Sequence, residues 1–410
     1  MIGSSRSHCL RCYTRPVLTR PGGDITDEEA RGLQLPPTKL RHRKFFRMPL
    51  RRFGISVGAG ILLGIALIRF DDQLPRLTPA RLGHFLIALW ISVVVHEAGH
   101  AIAAVVEGFK LLVFAVKPFK VYRTKECWRL GWLGKNQLSG FVSAVPRSTV
   151  RLRQRTIILV AGGPIASLVL GGAILAFAVL AQRTLPAWLH TQLIMIGACS
   201  LFLGFVNAIP RANPQVATDG HRLRMLLRAS TESECYCAIL LIAAASYGGL
   251  RPREWDTSLM ERLPGPTDGS PDNRVAQAIR YNWLVDSRRI AEAEVVLQHV
   301  LSQDLPEETA AIWSLEAAWF EAKYNGDLAS ARRWLETKVP ASAQSPGYRC
   351  ALAKARVAVL ALEQDWTAAE AAALETYRQC ELLNDAGTAI AIGDAVREIL
   401  NRAPRLESSS

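Results

Sequence analysis

The run His96-Glu97-Ala98-Gly99-His100 sets two imidazoles four residues apart, with a carboxylate beside the first. On a helix the histidines stand one turn apart on one face, where two neutral rings can hold a single Zn²⁺. Glu97 projects next to them and can serve as the general base that takes a proton from water. The flanks read FLIALWISVVV and AIAAVV, so the motif sits inside an apolar run from His84 to Val106. A soluble metalloprotease keeps such a helix in a watery cleft; this composition suits hydrocarbon. Three ionisable side chains are costly there, and a functional role is their default reading.

Two histidines leave a catalytic zinc site one protein ligand short, since three protein groups and a water complete it. A later apolar stretch ends FVNAIP and continues RANPQVATDGHRLRML. Asp219 follows a helix end marked by Pro210 and Pro214, and would give a two-histidine, one-carboxylate site. His221 is its rival and would give three imidazoles. Unwound backbone at membrane depth is tolerated only where it lines a cavity or packs on protein. This segment can therefore fold back toward the histidines.

The elements that must position these groups are legible in the distribution of charge. Twelve Lys/Arg precede Phe53 and eleven lie between Glu107 and Arg155, against two in 71–83 and one in 182–190. That alternation is the positive-inside pattern of a polytopic membrane protein. The net charge of +13 thus reports orientation and anionic headgroups, and nucleic acid is not an expected partner. Candidate spans are 53–70, 84–106, 156–181 and 191–210, each near the roughly 20 residues that cross hydrocarbon. With the basic arm 1–52 inside, the histidines fall in the cytosolic half of the second span. A cleavable signal peptide is not expected, because the first long apolar run starts at Phe53. Eight scattered cysteines give no disulfide framework. Cys9 and Cys12 read as a free-thiol tail.

Residues 110–145 alternate as strands do and predict a small antiparallel sheet near the cytosolic surface. An edge strand there could pair with an extended substrate, with Val116 and Val121 as expected edge residues. A short apolar stretch, 236–250, is expected to remain on one side of the membrane. Residues 251–273 form a turn-rich linker, and 274–403 become amphipathic, Ala-rich helix. Ile290, Leu328 and Trp366 recur at 38-residue spacing, as do Ala293, Ala331 and Ala369. The pattern resembles tetratricopeptide-type helical hairpins, about four residues longer than the usual period of roughly 34. The expected fold is mainly α: a polytopic membrane domain over 53–250 with a β insertion, then an α-solenoid.

HEAGH in one membrane helix, AGGPIAS in the next and NAIP…NPQVATDG after it resemble the site-2 protease family of intramembrane zinc metalloproteases. The likeness covers roughly residues 50–250. It implies that His96, His100 and Asp219 bind zinc and that Glu97 is the general base. Asn207 is implied to contact substrate or the oxyanion, and Gly163-Pro164 to form a packing and kink element. Two departures stand out: Ser167 where an Asn is common, and DGH where DGG is frequent. The function implied is hydrolysis of peptide bonds in a transmembrane protein substrate, within the bilayer of a bacterial inner membrane, with a protein partner on the helical repeats. Two other readings keep the same residues: an inactive membrane scaffold acting through its repeats, and a metal-dependent hydrolase of a non-peptide substrate.

Overall fold

The computed structural model describes residues 79–123, 127–133, 140–212, 217–264, 271–336, 345–383 and 385–403. The basic arm, the expected span 53–70 and the Cys9/Cys12 pair lie outside them.

Three helices carry the membrane part: α1 (Pro79–Val106), α2 (Leu152–Leu180) and α3 (Ala187–Ala208). Their apolar stretches Leu82–Val106, Leu152–Leu180 and Ala187–Ala208 are each long and apolar enough to cross a bilayer. At about 1.5 Å per residue they run roughly 33 to 43 Å, beyond the ~30 Å of hydrocarbon. Small residues let them meet closely, which is how helices associate where lipid removes the hydrophobic drive. At the α1–α2 crossing, a Cβ on Gly99 would stand 2.3 Å from the Gly162 carbonyl oxygen, so the backbones touch.

Between α1 and α2 lies a four-stranded antiparallel sheet of β1 (Phe109–Val116), β2 (Phe119–Arg123), β3 (Trp128–Trp132) and β4 (Gly140–Pro146). Its order is β3-β2-β1-β4. The edges are therefore β3 and β4, and the expectation that Val116 and Val121 are edge residues fails. Val116 pairs with both Phe119 and Gly140, and Val121 with both Phe114 and Leu130. β4 pairs with the far side of β1 instead of following β3, an order that alternation alone does not encode. The sheet also does more than cap the end of a span. β1 runs back along α1 until Trp90 Nε1 donates to the Lys117 carbonyl at 2.9 Å, sixteen residues before Val106.

After α3, a short connection leads to α4 (Asp219–Leu227) and α5 (Thr231–Tyr247). Helix α5 is the short apolar stretch, and it is not among the span-length helices of the described residues. Its apolar surface is taken up by protein on two sides. Cys237 and Leu241 pack on Ala104, Phe109 and Leu152, while Cys235, Ala238 and Ile242 pack with Trp255, Met260, Leu263 and Ala276.

The linker is likewise packed. It holds a 3₁₀ turn (Pro252–Glu254) and α6 (Thr257–Glu261), and Arg251 bridges Asp286 at 2.5 Å and Asp394 at 2.7 Å. Helical hairpins follow: α7 (Pro271–Asp286) with α8 (Ile290–Leu301), α9 (Glu307–Phe320) with α10 (Leu328–Leu335), and α11 (Pro346–Leu362) with α12 (Trp366–Glu381). A last helix, α13 (Ala386–Leu400), packs on them. The second helix of each pair starts at Ile290, Leu328 and Trp366. Two residues earlier the chain turns through positive φ each time, at Arg288 (61°), Gly326 (65°) and Gln364 (63°). Ala293, Ala331 and Ala369 are fully buried, because a methyl is all that fits between the paired helices.

Candidate metal centre

α1 presents His96 and His100 on one face, their rings edge-on with centroids 4.9 Å apart. Both are buried, as is Glu97. Asp219 reaches them from 119 residues further on because the chain after α3 pairs back on itself, Ala212 with Ala217. Thr218 N donates to the Arg211 carbonyl at 2.9 Å, and Thr218 Oγ1 donates to the Ile209 carbonyl at 2.7 Å. The same hydroxyl oxygen caps α4 by accepting from His221 N at 3.3 Å. Asp219 is thereby the first residue of α4. A Cβ on Gly220 would lie 2.0 Å from the Ala208 carbonyl oxygen, so the helix start docks directly under the end of α3.

Asp219 Oδ2 lies 3.0 Å from His96 Nε2 and 3.4 Å from His100 Nε2. One ligand atom from each of the three residues falls within 4.8 Å of the others. Ligand atoms about 2.1 Å from one ion at tetrahedral angles stand roughly 3.4 Å apart, so the set fits a single small cation. His221 is not part of this group, and the choice left open by spacing falls to the carboxylate. Burial pushes the Asp219 carboxyl up, but the hydrogen bonds and charges of His100 and His96 outweigh it and hold it at about 2. It is a carboxylate, as a ligand must be.

The outer contacts aim both rings. His100 Nδ1 donates to the Leu159 carbonyl of α2 at 2.9 Å, and His96 Nδ1 pairs with Ser167 Oγ at 3.0 Å. A carbonyl only accepts, so His100 Nδ1 carries a proton; Nε2, which faces Asp219 here, is the nitrogen that would give up its proton and turn its lone pair to a bound cation. Gly163 makes room for that ring, since a Cβ there would stand 2.3 Å from His100 Nε2. Glu97 meets the sheet: a Cβ on Gly140, the first residue of edge strand β4, would lie 2.6 Å from Glu97 Oε1. Asn207 occupies the last turn of α3, half-buried, and makes no hydrogen bond to the histidines or Asp219 among the described residues. Sequence reasoning missed Leu159 and Gly140. A backbone acceptor leaves no trace in residue type, and a strand glycine gains meaning only once the strand order is known.

Residues 84–185 match the model of peptidase family M50, the family of the site-2 proteases. The matched segment runs from the histidine helix through the sheet and past the end of α2. It bears out, over that segment, the resemblance carried by HEAGH and AGGPIAS. With three span-length apolar helices, the protein is a membrane protein. Asp219 lies beyond the matched segment and joins the site by geometry alone. No curated protein and no solved structure matches the chain.

Proposed function

We propose that this protein is an intramembrane zinc endopeptidase that cuts membrane-embedded protein substrates, as in regulated intramembrane proteolysis. The observation that carries the reading is the convergence of His96, His100 and Asp219 on one point, with Glu97 beside them, on a helix of spanning length. Zinc, when bound there, supplies a Lewis acid that polarises the scissile carbonyl and lowers the pKa of water toward about 7. Glu97 accepts the proton of the attacking water and passes it to the leaving amine. Its seat between α1 and the start of β4 keeps that carboxylate away from bulk water. Asn207, at the mouth of the turn that carries Asp219, is the proposed contact for substrate or oxyanion.

A helical substrate hides its carbonyls and must be held extended to be cut. Edge strand β4 is suited to this, because among the described residues it pairs on one side only and its first residue abuts Glu97. A segment paired along β4 is delivered to the base. The site belongs in the cytosolic half of a bacterial inner membrane, and the helical hairpins, tetratricopeptide-like in pattern, lie on the same side and bind a protein partner. A reporter fused after Ser410 tests that orientation.

The deciding experiment measures zinc stoichiometry of the purified protein together with cleavage of a synthetic membrane peptide, in wild type and Glu97→Gln. One zinc per chain in both proteins, with cleavage reduced about 10²–10⁴-fold in the variant, is the expected result. Absent zinc, or cleavage indifferent to Glu97, returns the protein to a scaffold acting through its repeats. Zinc with Glu97-dependent turnover of a non-peptide ester would reassign the substrate.

A further inference from the structure

The two histidines are aimed by unlike partners. His100 leans on backbone, a partner no substitution can remove. His96 leans on a side chain, Ser167 Oγ, at 3.0 Å. Ser167 is fully buried on the face of α2 that meets α1 and α3. α3 presses on its back: a Cβ on Gly204 would stand 2.9 Å from the Ser167 Cβ and 3.1 Å from the Pro164 carbonyl oxygen.

Hydroxyls within helices ordinarily bond to the carbonyl four residues back. This chain follows the habit repeatedly: Ser92 to Ala88, Thr156 to Leu152, Ser314 to Ala310 and Thr376 to Ala372, at 2.8 to 2.9 Å. Ser167 departs from it. Its hydrogen bond within the described residues goes across to His96. A buried hydroxyl turned from its own helix toward a ligand ring is doing the work that a second-layer carboxylate or carbonyl does at other metal sites.

We propose that Ser167 is the positioning residue for His96, its hydroxyl holding the ring so that Nε2 faces Asp219. This rests on the metal-centre reading above. Accepting the Nδ1 proton leaves Nε2 as the nitrogen to bind the metal, as Leu159 does for His100.

The test uses Co²⁺ as probe on the full-length protein in detergent, reading its dissociation constant and visible d–d absorption. Ser167→Thr and Ser167→Val add the same bulk and differ only in the oxygen. The threonine variant should hold Co²⁺ with a near-native spectrum, and the valine variant should bind it about 10–100-fold more weakly, with shifted bands. Equal affinity and equal spectra in the two variants overturn the proposal, and a common packing defect cannot mimic the contrast. His100→Ala serves as control. If wild-type Co²⁺ binding survives that change, the metal-centre reading itself falls and the proposal with it. If binding depends on His100 while threonine and valine behave alike, only the role of Ser167 is lost.

Discussion

The membrane helices and the helical hairpins solve the same packing problem with different side chains. In the hairpins, a buried alanine at each 38-residue step lets the paired helices close, and charged groups tie distant turns together. Glu398 of α13 binds Arg288 at 2.8 Å and Lys323 at 3.1 Å, from two different hairpins. In the membrane helices glycine takes the place of alanine, and the polar groups converge on one centre. The hairpins distribute their specificity along the chain; the membrane helices concentrate theirs around Asp219. A defect in the first should cost stability by increments. In the second it should remove the site at once.

The sharpest way to break this contrast is at the α1–α2 crossing. Gly162→Leu drives a side chain into the Gly99 carbonyl and should abolish both zinc binding and peptide cleavage, with the hairpins still helical by circular dichroism. The matched insult in the other region, Ala331→Phe, should lower stability by about 1–3 kcal/mol in thermal unfolding while zinc stays bound. If the second change also empties the metal site, the two regions are not separable in this sense. Of the same order is Arg251→Ala, which leaves the nearly buried Asp286 carboxylate without its charged partner. A loss of about 1–3 kcal/mol is expected.

The smallest effect is one of pH. Burial raises the Glu398 carboxyl, but the Arg288 hydrogen bond and the Lys323 charge outweigh it and hold it at about 2, below its ordinary 4.5. A depressed carboxylate stabilises the fold above its unfolded value and ceases to as pH falls through its folded one. Stability should therefore decline between pH 4.5 and about 2, and Glu398→Gln should flatten that slope in urea titrations at fixed pH steps. An unchanged slope would show that this carboxylate is not the coupling between the hairpins.

Much of this was legible in the residues. HEAGH fixed the histidine face, the runs of apolar residues placed three helices to within five residues at each end, and the 38-residue spacing fell on the starts of α8, α10 and α12. Asp219 was legible as a candidate beside His221, and the turn closed by Thr218 decided between them. What remained hidden was set by contacts across the chain. Strand order placed β4 rather than β1 or β2 at the edge, and with it Gly140 on Glu97. The 236–250 stretch carried an ambiguity of principle: surrounded by lipid or surrounded by protein, a helix has the same composition. Its neighbours, Ala104 and Phe109 on one side and Trp255 and Met260 on the other, are not legible in the sequence.

That same helix α5 has a practical corollary. Whoever severs the chain near Leu250 to obtain the hairpins as a water-soluble fragment will strip Trp255, Met260, Leu263 and Ala276 of their cover and leave a greasy scar. The membrane half would carry the matching wound. The natural cut for a self-sufficient soluble piece comes before Thr231, so that α5 travels with the repeats, its other face then needing polar replacements at Cys237 and Leu241.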